Sequence, residues 1–154
     1  MEVPILVPNA KILVDADACP VKSLITRAAK RFKIPVVMFI DTSHIIDDGY
    51  SEVVTVDKAA DSVDIALVNR VRRGDVVVTQ DFGLAALALP KGAQVINQNG
   101  MKYTDANIDR LLFERHLAQK VRRAGGRTGG PVKRTREDDD RFEAAFEKLL
   151  TELA

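Results

Sequence analysis

Four aspartates stand where chemistry could be done. Asp15 and Asp17 follow Lys11-Ile12-Leu13-Val14, and Asp81 follows Val76-Val77-Val78-Thr79-Gln80. Asp64 lies three residues after Asp61 at the start of a helix-like stretch, so those two acids share a face. A carboxylate can act as a general base, a nucleophile or a hard oxygen ligand. Several of them at one place carry a cost. Two carboxylates about 5 Å apart repel by roughly 3 kcal/mol at an effective dielectric of about 20. The nearest cations in sequence are Lys22 and Lys58, and neither lies within the strand ends. A divalent cation would relieve the repulsion, and Mg²⁺ or Mn²⁺ suits an all-carboxylate site with open water positions.

Other chemistries find less support. The chain has one cysteine and two histidines, and no zinc-type spacing joins them. Cys19 has no histidine nearby in sequence to activate it and reads as a buried or helix-start thiol. His44 and His116 stand alone and read as structural or surface residues. Asp81-Phe82-Gly83 matches a kinase tripeptide, but no phosphate-cradling glycine loop accompanies it. Aspartates also cap helices, and Asp61 is expected to do so, with a secondary place at the acid site. Asp47, Asp48 and Asp138 to Asp140 read as turns and helix starts.

A second cluster is basic. Lys120, Arg122, Arg123, Arg127, Lys133, Arg134 and Arg136 occur in one stretch with no acid among them. Such a run on a glycine-rich loop suits contacts to phosphates of a nucleic acid. A solvated helix end, where cations are favoured, explains the same charges.

The elements that must position these residues follow from hydrophobic pattern. Strands are expected at 11–14, 34–40, 52–56, 76–79 and 93–96. A helix is expected at 20–33, started by Pro20, with Val21, Leu24, Ile25, Ala28, Ala29 and Phe32 on one stripe. Others are expected at 61–73, capped by Asp61 or Ser62, and at 82–89, stopped by Pro90. A longer helix begins at Thr104, with Tyr103 and Ile108 as a hydrophobic staple, and runs to Gly125-Gly126. Residues 124–135 read as a flexible basic loop, and Thr135 caps a last helix at 136–153. The alternation predicts one three-layer α/β domain over 1–154, its sheet mainly parallel and five-stranded. Strand order 3-2-1-4-5 would put Asp15 and Asp81 on either side of the point where the order reverses, beyond the carboxyl ends of the strands.

Bulk composition narrows the class. The 154 residues are 46% hydrophobic and 29% charged, ordinary values for a soluble domain. The net charge is +1, so whole-molecule charge selects no partner. No apolar run approaches the roughly 20 residues a membrane span needs. Without a secretory signal pattern or a second cysteine, the expected compartment is the cytoplasm.

Several segments taken together resemble a known family. They are Val14-Asp15-Ala16-Asp17-Ala18-Cys19-Pro20, Ala60-Asp61-Ser62-Val63-Asp64 and Thr79-Gln80-Asp81-Phe82-Gly83-Leu84-Ala85, with Asn99-Gly100, Tyr103-Thr104 and Arg127-Thr128-Gly129-Gly130-Pro131. The chain resembles the YaiI/YqxD family of bacterial proteins over nearly its whole length, a family similar in fold to PIN domains. PIN-like nucleases carry an acid after strand one, one in the helix after strand three and one after strand four. Asp15, Asp64 and Asp81 match these positions. The resemblance implies a Mg²⁺- or Mn²⁺-dependent nuclease, with RNA as the expected substrate, those three aspartates as metal ligands, and Asp17 binding metal or orienting water. The mid-helix acid is often Glu in PIN domains and is Asp here, and Asp17 has no secure counterpart there. Two alternatives stay open: a haloacid-dehalogenase-like phosphatase using Asp15 and Asp17, and a non-catalytic module that binds RNA or protein.

Overall fold

The computed structural model describes residues 10–126 and 133–153. Continuous apolar runs become the buried strands of one sheet: β1 (Ile12–Asp15), β2 (Val36–Asp41), β3 (Glu52–Val56), β4 (Val76–Val78), β5 (Gln94–Ile96) and β6 (Lys102–Tyr103). Their order is β3-β2-β1-β4-β5-β6. The first five run parallel, and β6 pairs antiparallel with β5. The expected order 3-2-1-4-5 is therefore present, with a sixth strand added at the edge. That strand is two residues long, too short for hydrophobic alternation to announce it, and arises from the Asn97–Gly100 turn.

Strand alternation divides the core between the two faces of the sheet. Ile12, Val14, Val76 and Val78 face α1 (Lys22–Phe32) and the C-terminal helix, here α5 (Arg136–Leu153). Leu13, Val37, Phe39, Val77 and Val95 face α2 (Ser62–Arg70), α3 (Phe82–Ala88) and α4 (Asp105–Arg123). The three-layer α/β expectation holds. α1 and α5 pack together on one side, and α3 packs against α4 on the other. Among the described residues, no helix is long and apolar enough to cross a membrane.

Thr104 caps α4 through a reciprocal pair with Asn107, and the staple residues Tyr103 and Ile108 are both buried. Thr135 and Asp138 exchange backbone and side-chain hydrogen bonds at the start of α5. Phe142 and Phe146 stack with ring centroids 5.1 Å apart as α5 meets the sheet. Gly100 lets that happen: a Cβ there would lie 2.8 Å from the Arg141 carbonyl oxygen, and its φ is +88°. One capping expectation fails. Asp61 occupies the N-cap position of α2 in a left-handed conformation, φ 66°, and its side chain caps nothing. The basic loop expected at 124–135 falls largely on residues 127–132, outside the described residues.

Candidate functional site

Asp15 closes β1 at the carboxyl edge of the sheet. Alternation sends its side chain to the same face as Leu13, the face covered by α2 and α3. The β1–β4 register pairs Val14 with Val78, which sets Asp15 beside Thr79. The Thr79 hydroxyl donates to Asp15 Oδ2 at 2.9 Å and accepts the Asp81 backbone N–H at 3.0 Å. One buried hydroxyl thus spans the two strand ends that carry acids. Thr79 is only 2% exposed, and sequence reasoning missed it. A hydroxyl two residues before Asp81, of the same strand parity as the core-facing Val77, is the signal that could have revealed it.

Asp81 is held from the other side as well. Its Oδ1 accepts the N–H groups of Gly83 at 2.8 Å and Leu84 at 3.2 Å, capping α3. A Cβ at Gly83 would sit 3.1 Å from that oxygen, so glycine permits the close approach. Tyr103 donates its hydroxyl to the Thr79 carbonyl at 3.3 Å. Burial first, and then the Asp81 charge, push that phenol up to about 12, so it stays a donor.

Asp64 comes from the first turn of α2. Burial, followed by the charges of Asp81, Asp15 and Asp61, lifts its pKa to about 6. Burial also raises Asp15, against the lowering effect of the Thr79 hydrogen bond, and the charges of Asp81 and Asp17 add to the rise. The structure therefore brings Asp15, Asp64 and Asp81 into mutual electrostatic contact from three elements, with exposed Asp61 adding charge at the rim. They do not form a closed cage. Among the described residues, the one group of three or more His, Cys, Asp or Glu whose ligand atoms all lie within 4.8 Å is Asp17, Asp41 and His44.

Asp17 is tied to the end of β2. Its oxygens accept the Asp41 N–H at 3.2 and 3.4 Å, and Oδ1 lies 2.8 Å from His44 Nδ1. His44 also lies 3.3 Å from Asp41 Oδ1, whose other partner is Ser43. The histidine expected to stand alone is thus the anchor of Asp17. The chain leaves β1 through a turn in which Ala18 has φ 59°, which redirects Asp17 towards the end of β2. Cys19 is buried, and burial raises its thiol pKa, as expected of an inert side chain.

A groove of about 520 Å³ opens beside the acids between α2 and α3, lined by Asp61, Asp64, Ile65, Asp81, Leu87 and Arg115 among others. Arg115 reaches it from α4, with Nη1 3.6 Å from Asp81 Oδ1. Sequence reasoning missed this arginine because only the packing of α4 on α3 delivers it. The basic run is dispersed. Lys120, Arg122 and Arg123 are exposed on the last turns of α4. That is about 8 to 12 Å along the helix axis from Arg115 at 1.5 Å per residue. Arg134 is engaged within the fold, on Asp139 at 2.7 Å, Asn99 Oδ1 at 2.8 Å and the Gln98 carbonyl at 2.8 Å. Lys133 and Arg136 are exposed, and Arg127 lies outside the described residues.

The sequence profile of the uncharacterized YaiI/YqxD family matches residues 13–152. A UPF0178 protein of Ruminiclostridium cellulolyticum is 69% identical over 136 residues, covering 88% of this chain and 89% of that protein. UPF0178 proteins of Clostridium acetobutylicum and Natranaerobius thermophilus are 56% and 46% identical, over 91% and 93% of this chain and 96% and 97% of theirs. No solved structure matches. With a profile match running through every acid of the site and relatives this similar over nearly their full length, the chain belongs to the YaiI/YqxD family of bacterial proteins.

Proposed function

We propose that this protein is a cytoplasmic Mg²⁺- or Mn²⁺-dependent nuclease that hydrolyses phosphodiester bonds in RNA. The observation that carries the reading is the meeting of Asp15, Asp64 and Asp81 at the carboxyl edge of the sheet, where burial first, and then the charges of Asp81 and Asp15, raise Asp64 to about 6. The positions agree with the PIN-domain resemblance: after β1, in the helix after β3, and after β4.

The donor set is all hard oxygen, which fits Mg²⁺ or Mn²⁺ and disfavours softer ions. Asp15, Asp64 and Asp81 would hold the ion. When bound, it supplies Lewis-acid polarisation of the phosphate and a more acidic water. The protein's own contribution is placement. Thr79 fixes one Asp15 oxygen, and the α3 N-terminus fixes one Asp81 oxygen. Asp64, raised to about 6 by burial and by the neighbouring acids, is the carboxylate whose ionisation a bound cation would favour most. Arg115 stands where it can pair with a phosphate oxygen brought against Asp81. Asp17, held by His44 and the Asp41 amide, orients water at the margin of the site.

The phosphatase alternative needs Asp15 and Asp17 to face one substrate as nucleophile and acid/base. Asp17 is committed to β2 and His44, which weighs against it. Asp75 lies at the opposite end of β4, accepting the N–H groups of Lys11 and Arg72, and adds nothing to the acid edge.

The test is cleavage of end-labelled single-stranded RNA with Mg²⁺ or Mn²⁺, with EDTA, and with Asp81→Asn. Metal-dependent cutting that the variant lacks supports the reading. No cutting of RNA under either metal, or cutting unaffected by Asp81→Asn, overturns it.

A further inference from the structure

We propose that the groove between α1 and the loop joining β2 to β3 binds single-stranded nucleic acid next to the carboxyl edge of the sheet. This deepens the nuclease reading by giving the substrate a second surface to hold it, and it rests on that reading for the choice of a phosphodiester strand. The open groove has a volume of about 700 Å³, within the range of pockets that hold organic ligands.

One wall is α1. Lys22, Thr26 and Lys30 recur at four-residue spacing, and Arg27 lies beside them. Lys22 and Lys30 are thus about 12 Å apart along the axis at 1.5 Å per residue, room for more than one phosphate. Lys22, Arg27 and Lys30 make no ion pair among the described residues, whereas Arg31, also on this wall, is paired with Glu147. Lys30 rests over the Tyr50 ring, 5.7 Å from its centroid. The opposite wall carries Ile45, which is 95% exposed and offers an apolar surface to a base. Its two acids are Asp47, which is exposed, and Asp48, whose oxygens accept from Tyr50, Ser51 and Thr26.

Both walls begin at the acid edge. Lys22 Nζ lies 3.4 Å from the carbonyl of Ala16, between Asp15 and Asp17. On the other side, His44 touches Asp17 and immediately precedes Ile45. The groove therefore starts at the Asp17 end of the carboxyl edge and runs along the α1 side of the sheet, with cations on one wall and an apolar rim on the other, which suits a phosphate backbone with bases beside it. An acidic protein would satisfy the cations but leave the exposed Ile45 on the facing wall uncovered, and the polyglutamate arm below separates the two.

The experiment is fluorescence anisotropy of a labelled single-stranded RNA oligonucleotide, in EDTA and again in Ca²⁺, for the parent, Arg27→Ala/Lys30→Ala, Arg27→Glu and Lys120→Ala/Arg123→Ala. These side chains are exposed, and circular dichroism checks the fold. The α1 double variant should bind roughly tenfold more weakly, with a log–log salt slope shallower by about 1.4, the value for two lost phosphate contacts on a single strand. Arg27→Glu, which reverses one charge in the groove, should also bind more weakly than the parent with a shallower salt slope. No binding by the parent in either condition overturns the proposal. So does an unchanged slope in the α1 variants, a loss confined to the α4 variant, or equally tight binding of polyglutamate. Binding that weakens as stated in a protein that cuts no RNA would retain the groove and remove the nuclease reading, so the two fail separately.

Discussion

The Thr79 hydroxyl joins Asp15 to the backbone of Asp81, donating to the first at 2.9 Å and accepting from the second at 3.0 Å. Two acids on adjacent parallel strands are thereby held in a fixed relation by a group that carries no charge. The hydroxyl fixes that relation by itself, so the repulsion between the two acids is built into the fold.

Thr79→Val keeps the shape and removes both hydrogen bonds. Leaving these buried partners unpaired should cost about 1–3 kcal/mol. For a chain of this size that is a fall in Tm of about 2–4 °C per kcal/mol. Thr79→Ser should recover most of it. Because the Thr79 hydrogen bond lowers the Asp15 pKa, the valine variant should also show a higher Asp15 pKa by carbon-13 NMR titration. An unmoved Asp15 titration would mean that the hydroxyl does not set that carboxylate.

Stability without metal should fall as pH rises from about 4 to about 6. Asp64 holds its proton more tightly in the fold, at about 6 against an ordinary 3.8, so the folded state carries more protons in that window. Deprotonation there favours the unfolded chain. Asp15, also raised, acts in the same direction. Denaturant midpoints measured across this range should decline for the parent and decline less for Asp64→Asn, and Mg²⁺ should restore the parent at the upper end. A parent midpoint that rises through the window contradicts the coupling.

Asp81→Asn and Asp81→Ala should separate the two duties of that residue. Asn caps a helix about as well as Asp, while Ala costs about 1 kcal/mol. Asn also removes the charge that raises Asp64 and Asp15. The Asn variant without metal should melt with the parent or above it, and the Ala variant below the Asn variant. Added Mg²⁺ should raise the parent Tm more than either variant. An equal Mg²⁺ shift in all three proteins would leave Asp81 a cap alone.

Arg134→Ala should affect folding rather than ligand binding. The guanidinium ties α5 to the turn before β6 through Asp139, Asn99 and Gln98. Hydrogen bonds of charged groups contribute about 1.5–3 kcal/mol in favourable cases. The variant should therefore melt several degrees lower, with the salt slope for single-stranded RNA unchanged. A flatter slope at unchanged Tm would return Arg134 to the phosphate-contacting set.

What the sequence determined by itself is local. Continuous apolar runs marked the five parallel strands, three- and four-residue spacing marked the helices, and Asp15 and Asp81 stood at strand ends because polarity stops a buried strand. Strand parity already placed Asp15 on the face of Leu13. Tertiary structure decided the partners. The β1–β4 register brought Thr79 to Asp15, α4 lying on α3 brought Arg115 to Asp81, and the turn at Ala18 gave Asp17 to His44. α5 docking beside Gly100 took Arg134 out of the basic run, and the cations of α1 came to line a groove against the loop joining β2 to β3. Periodicity reports which face of an element is buried, because burial acts on each residue through its own strand or helix. It carries no record of which distant side chain lies opposite, since that depends on register and on how helices stack over the sheet.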